Sequence, residues 1–160
     1  MAIQESRRLS DVLGKALIEI HHIGSTAIPG IAAKPVIDLM PVVRSLPEID
    51  QKETAVCDLA YVLRGEFGIS GRRFCVRDDP ATGQRLFNVH IFEAGSPEIA
   101  RHLAFRDYLR AHPTEAREYG RIKRAAMAQH PDDILAYNNA KSPWIQACEK
   151  RALRWYLADW

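Results

Sequence analysis

At 160 residues, with 47% hydrophobic and 26% charged side chains, the chain has the size and composition of one globular domain, and neither disorder nor a membrane protein is suggested. A net charge of +2 is too small to argue for a nucleic-acid partner, and no apolar run approaches the roughly 20 residues of a membrane span. Met1 to Ser10 carries Glu5, Arg7 and Arg8 in place of an apolar signal core, and Cys57, Cys75 and Cys148 are too scattered for a disulfide framework or zinc site. A cytoplasmic protein with buried or half-buried thiols is therefore expected.

Leu9, Val12, Leu13, Ala16 and Leu17 recur at helical spacing and predict an N-terminal helix. The β-branched Ile18, Ile20 and Ile23 then predict a short strand ending near Gly24. Pro29, Gly30 and Pro35 break the chain before Val36 to Val43, an almost wholly apolar strand of the kind buried on both faces. Ser45 and Glu48 have the form of a capping box, with Pro47 in the first turn, opening a helix to about Leu59. Strands are predicted at Tyr61 to Arg64, at Arg72 to Val76 and, after a hairpin-type loop through Asp78, Pro80 and Gly83, at Leu86 to Phe92.

From Ser96, a cap followed by Pro97, the chain reads as helical, and Pro113, Pro131 and Pro143 divide it into four helices. Trp144, Ile145, Cys148, Ala152, Leu153 and Tyr156 make the stripe of a docked C-terminal helix, with Trp155 and Trp160 also read as packing residues. The expected architecture is one α+β (α/β) domain over residues 1–160. A mixed β-sheet flanked by helices fills 1–95, and a C-terminal helical cap fills 96–160.

Chemistry concentrates between His22 and Leu39. Gly24 lets the backbone come close to a ligand because it has no Cβ. Ser25 and Thr26 add hydroxyls, and a helix starting after them would turn free N–H groups toward an anion. Asp38 interrupts an apolar strand, so its carboxylate must be paired, metal-bound or at the strand's exposed end; Lys34 is one candidate partner.

The run H-I-G-S-T-A-I-P-G-I-A-A-K-P-V-I-D from His22 to Asp38 resembles the signature of the GrpB family, within the nucleotidyltransferase superfamily. So do N-V-H-I-F at Asn88 to Phe92, H-L-A-F-R-D-Y-L-R at His102 to Arg110, and Tyr119, Lys123, Tyr137 and Lys141 in that order. The likeness covers almost the whole chain, with an N-terminal helix shorter than the family's. It implies a nucleotidyltransferase-like fold that binds a nucleoside triphosphate or other phosphorylated ligand and transfers a nucleotidyl group to a small hydroxylated acceptor.

In active superfamily members a Gly-Ser or Gly-Gly turn precedes a strand with two acids one residue apart, a third acid lies on a later strand, and the set holds Mg²⁺ or Mn²⁺. Gly24, Ser25 and Asp38 match the turn and the first acid. Met40 stands at the second, and the third-acid strand offers Asn88 and His90. The resemblance also implies an alternative: a non-catalytic accessory domain with a protein partner, like the GrpB-like domains fused to dephospho-CoA kinase.

His22, His90 and Asp38 would converge if the first, second and fifth strands are neighbours, a set suited to a transition metal and to a metal-dependent hydrolase. Otherwise one histidine, His90 by preference, is a general base on the acceptor, or both histidines are hydrogen-bonded strand residues at the pocket edge. Among the basic residues, Arg106 lies between aromatics and is the first candidate for phosphate, followed by Arg72 or Arg73, of which Arg73 is taken here. Lys123 and Lys141 complete the pocket candidates, although Lys123, like Arg101, also suits a solvated helix face. Glu98, Asp107, Glu115 and Glu118 interleave with these cations and argue against a nucleic-acid surface.

Overall fold

A computed structural model describes residues 1–31 and 36–158; Lys34, Pro35 and Trp160 lie outside the described residues. The strands β1 (Leu17–Ile23), β2 (Ile37–Val43), β3 (Val62–Leu63), β4 (Arg72–Asp78) and β5 (Arg85–Glu93) form one sheet in the order β1-β2-β5-β4-β3. β2 and β5 run parallel and the other three neighbouring pairs antiparallel, so the sheet is mixed, as expected. Neighbours on both edges explain why β2 reads as a nearly continuous apolar run. Pro41 has no N–H to give, and the β2–β5 ladder skips Met40 and Pro41 before resuming at Val42 against Phe92.

Alternation along the strands sorts the side chains into two faces. Leu39, Val43, Phe87, Val89 and Ile91 pack against Leu9 and Leu13 of α1 (Ala2–Leu13), Ile49 of α2 (Leu46–Asp50) and Val56 of α3 (Glu53–Cys57). Each fully buried side chain of this size contributes roughly 1.5–3 kcal/mol. On the other face Ile23, Met40 and Phe92 meet Ile99 and Leu103 of α4 (Pro97–Ala111). α5 (Pro113–Gln129) and α6 (Ile134–Ala158) complete that layer, their Tyr119, Cys148 and Ala152 clustering with Tyr108 of α4.

One charged residue is buried beneath α1. Glu5, 2% exposed, sits on the same stripe as Leu9 and Leu13. Its Oε1 accepts from Arg8 (3.0 Å) and the Tyr61 hydroxyl (3.1 Å), and its Oε2 from Arg77 (2.7 Å). Burial and the neighbouring carboxylate raise the Tyr61 phenol above its ordinary range, so it stays a donor.

Three local expectations are corrected. Ser45 precedes α2, but its side chain makes no capping bond. The Leu46 N–H goes to Glu93 and Glu48 pairs with Arg44, so no capping box forms and the helix stops at Asp50, with α3 separate. Pro143 lies inside α6, so the C-terminal part holds three helices rather than four. The turn survives the lost N–H because the residues after it are anchored: Trp144 stacks on Tyr119 (5.4 Å, 13°), and Cys148 and Ala152 are fully buried. Cys75 and Cys148 are buried, whereas Cys57 is exposed. Ser96 does cap α4, its Oγ accepting from the Glu98 N–H at 3.3 Å. Among the described residues no helix is long and apolar enough to cross a membrane.

Candidate functional site

The parallel register of β2 and β5 sets Asp38 opposite Asn88, with His90 two residues further along β5 on the same face. Asn88 Nδ2 donates to Asp38 Oδ1 at 3.2 Å and His90 Nε2 lies 3.0 Å from the same oxygen. Arg72, 6% exposed on β4, donates from Nη1 to His90 Nδ1 at 3.2 Å. An arginine can only donate, so Nδ1 is the acceptor and the ring proton is assigned to Nε2, pointing at Asp38. Both ring nitrogens are thus hydrogen-bonded, and His90 holds Asp38 in place.

Gly24 closes over the same carboxylate. Its φ of +74° lies in the left-handed region, and a Cβ there would stand 2.6 Å from Asp38 Oδ2. The close approach read from the sequence is therefore made to the protein's own acid. Ser25 to Ala27 form a single 3-10 turn and no longer helix follows, so the expected helix N-terminus is absent from the described residues here. Thr26 Oγ1 lies 2.8 Å from His22 Nε2, which ties the turn down on its far side.

Above this strand floor the helices leave a cleft of about 620 Å³. Gly24, Ser25, Asp38, Asn88 and His90 line its base, and Lys123 of α5 and Lys141 of α6 line its opposite wall. Lys123 Nζ donates to Ser25 Oγ at 2.9 Å, and Lys141 Nζ sits 4.4 Å above the Tyr137 ring. Arg85 reaches in from β5 and donates to Asn88 Oδ1 at 2.9 Å. Arg101, expected on a solvated face, also lines the cleft, tied to Glu98 and Glu149 at 2.6 and 3.0 Å. Burial, with Arg101 next, pushes the His102 imidazole down to about 2, so it is neutral beside His90.

Three predicted residues point elsewhere. His22 pairs with Leu39 across the antiparallel ladder, so it projects from the α1 face, opposite to Asp38. The strands are neighbours, yet the His22–His90–Asp38 metal set does not assemble. Arg73 also projects to that face and is held by Asp50 at 2.8 Å, while its neighbour Arg72 takes the site side. Arg106 donates to the His22 carbonyl at 3.1 Å and pairs with Asp107, which fastens α4 to the edge strand β1 rather than reaching the cleft.

Among the described residues no three His, Cys, Asp or Glu side chains gather as a metal cage. Met40, the next residue of β2 on the face of Asp38, is fully buried against Ile23 and Phe92. Among the described residues no second carboxylate gathers with Asp38 into a shared cation site, which does not fit a resident multi-acid Mg²⁺ or Mn²⁺ centre.

A mixed sheet with one half-buried acid under a Gly-Ser turn, roofed by three helices of which α5 and α6 supply lysines, defines an α+β protein with a large cleft on its helical face. The chain belongs to the GrpB family, whose model, described as "GrpB protein", matches residues 1–151. It is 46% identical to the "UPF0157 protein YqkA" of Bacillus subtilis over 95% of its own length and 43% of that relative's. It is 36% identical to the "UPF0157 protein BH1888" of Halalkalibacterium halodurans, covering 93% and 74% of the two chains.

The crystal structure of conserved protein GrpB from Enterococcus faecalis superposes with a TM-score of 0.91 at 38% identity, covering 97% of this chain and 92% of that one. A "Dephospho-CoA kinase" of Mycolicibacterium paratuberculosis is 31% identical over 92% of this chain and 42% of its own length. The chain thus spans less than half of both the Bacillus relative and this kinase.

Proposed function

We propose that the cleft binds a nucleoside triphosphate or similarly phosphorylated small molecule and supports transfer of a nucleotidyl group to a small hydroxylated acceptor. The observation that carries this is the Lys123–Ser25 hydrogen bond, which sets an ammonium against the turn whose glycine abuts Asp38. Lys123, Lys141 and the Ser25 hydroxyl suit phosphate oxygens. Asp38 lines the same cleft, and its carboxylate suits Mg²⁺ or Mn²⁺ arriving with those phosphates. In the reaction the acceptor oxygen bonds to the α-phosphorus, the bond to the departing pyrophosphate breaks, and the hydroxyl proton is released.

A second reading rests on Met40. A buried methionine where the superfamily carries an acid favours binding without transfer. The match to proteins named dephospho-CoA kinase, of which this chain covers 42%, supports an accessory role beside a partner enzyme.

Thermal unfolding against a panel of nucleotides, with and without Mg²⁺ or Mn²⁺, tests the binding claim. At about a hundred times its dissociation constant a ligand adds roughly 2.7 kcal/mol, a shift of several degrees for this size of domain. A metal-dependent shift that Asp38→Asn abolishes supports the reading, and no shift with any nucleotide sinks it. Release of pyrophosphate with an acceptor present separates transfer from binding alone.

A further inference from the structure

Phe67 sits between β3 and β4 with φ +46°, a left-handed conformation that bulky side chains avoid, and its side chain is 62% exposed. The backbone is fixed from beneath. Arg72 donates from Nη2 to the Phe67 carbonyl at 2.8 Å and from Nε to the Glu66 carbonyl at 3.2 Å, while the Glu66 carboxylate accepts from the Gly71 N–H at 2.7 Å. The Phe67 ring stacks on Phe74 (5.4 Å, 18°), Phe74 meets His90 at 5.1 Å, and His90 meets His102 at 5.6 Å. A ladder of rings therefore runs along the cleft wall, with Phe67 as its outer rung and His90, the partner of Asp38, further in. The Arg72 guanidinium lies 4.5 Å from the Phe74 ring centre and stiffens the stack.

Core packing does not account for Phe67, because the strain holds the ring out of the core, at the mouth of the same cleft that Asp38 and Lys123 line. We infer that Phe67 is the stacking platform for the planar base of a nucleotide whose phosphates lie at the Ser25–Lys123 end; this rests on the nucleotide reading above. A stacked ring tolerates every base, since each has a π face, so the platform selects for an aromatic group rather than for one nucleotide.

The test is calorimetric titration of ATP, CTP and inorganic tripolyphosphate into the wild-type protein, Phe67→Leu and Phe67→Trp, each first shown to unfold at the wild-type temperature. Phe67→Leu is expected to weaken ATP and CTP about tenfold and leave tripolyphosphate unchanged, with Phe67→Trp binding both nucleotides at least as well as wild type. Undiminished nucleotide binding by Phe67→Leu, or tripolyphosphate binding wild type as tightly as ATP, overturns the platform while leaving phosphate binding standing. A wild-type protein that binds none of the three overturns both.

Discussion

Glu5 and Asp38 lie on opposite faces of one sheet, and the two acids are treated differently. Glu5, under α1, has both oxygens filled by Arg8, Arg77 and Tyr61 and is closed off at 2% exposure. Asp38, under the three C-terminal helices, takes neutral donors from Asn88 and His90 on one oxygen and keeps a side chain 24% exposed to a large cleft. A carboxylate matched by two guanidinium groups and a phenol has its electrostatics completed within the fold. One matched by an amide and an imidazole, with cations across a gap, is left able to interact with something that enters. The contrast separates an acid that holds the fold together from one presented to a ligand.

The largest effect that tests the contrast is Glu5→Ala. It strands Arg77, whose side chain is 21% exposed, and breaking such a pair costs about 3 kcal/mol, lowering the unfolding midpoint by about 6–12 °C. The nucleotide-induced shift should persist on the remaining folded protein. Asp38→Asn should do the reverse, changing stability by less than about 1 kcal/mol while losing the shift. If thermal scans show the two variants equally destabilised, the division of labour between the faces is wrong.

Gly24→Ala is next and should damage both properties. Holding a non-glycine residue at φ +74° costs about 1–2 kcal/mol, and the new Cβ must displace Asp38 Oδ2. Gly83→Ala is a control of similar φ, +72°, with no described atom within 4 Å of its Cβ. Equal stability losses in denaturant, with ligand binding lost only at position 24, would assign the binding defect to the carboxylate. Lys123→Gln should leave the midpoint near wild type and weaken nucleotide binding about tenfold by titration, because an ammonium that bonds Ser25 is replaced by a neutral amide.

The order of strands and helices was legible because apolar runs, glycines and prolines punctuate this chain clearly, and Gly24 and Asp38 meet as their motif implies. What failed was mostly face and register. His22 and Asp38 are on adjacent strands, but the pairing of His22 with Leu39 turns the histidine away, and no local pattern reveals that register. The choice between Arg72 and Arg73 depends on the same parity. Arg106, flanked by aromatics in the sequence, is held by a strand carbonyl rather than turned to the cleft. Glu5 does leave a signal in the sequence: it falls four residues before Leu9 and eight before Leu13, an acid on the buried stripe. Phe67 left one as well, a lone aromatic beside Gly65 and Gly68 in a turn-rich segment.

The smallest expected effect is a pH dependence that also divides the two acids' surroundings. His102 is neutral in the folded state down to about 2, because burial and Arg101 oppose its charge, whereas in the unfolded chain it takes a proton near 6.5. Below that pH the unfolded state therefore binds one more proton than the native state, so stability falls as the solution is acidified and is unaffected by this group above neutrality. A single such site changes stability by up to about 1.4 kcal/mol per pH unit, or about 1 kcal/mol between pH 6.5 and 5.5. His22, also held below its ordinary value by burial, adds in the same direction. Urea unfolding of wild type and His102→Gln at pH 7.5, 6.5 and 5.5 should give a shallower acid limb for the variant. Parallel slopes would mean that His102 is reached by water in the folded protein, and that the ring ladder beside Asp38 is wetter than its packing implies.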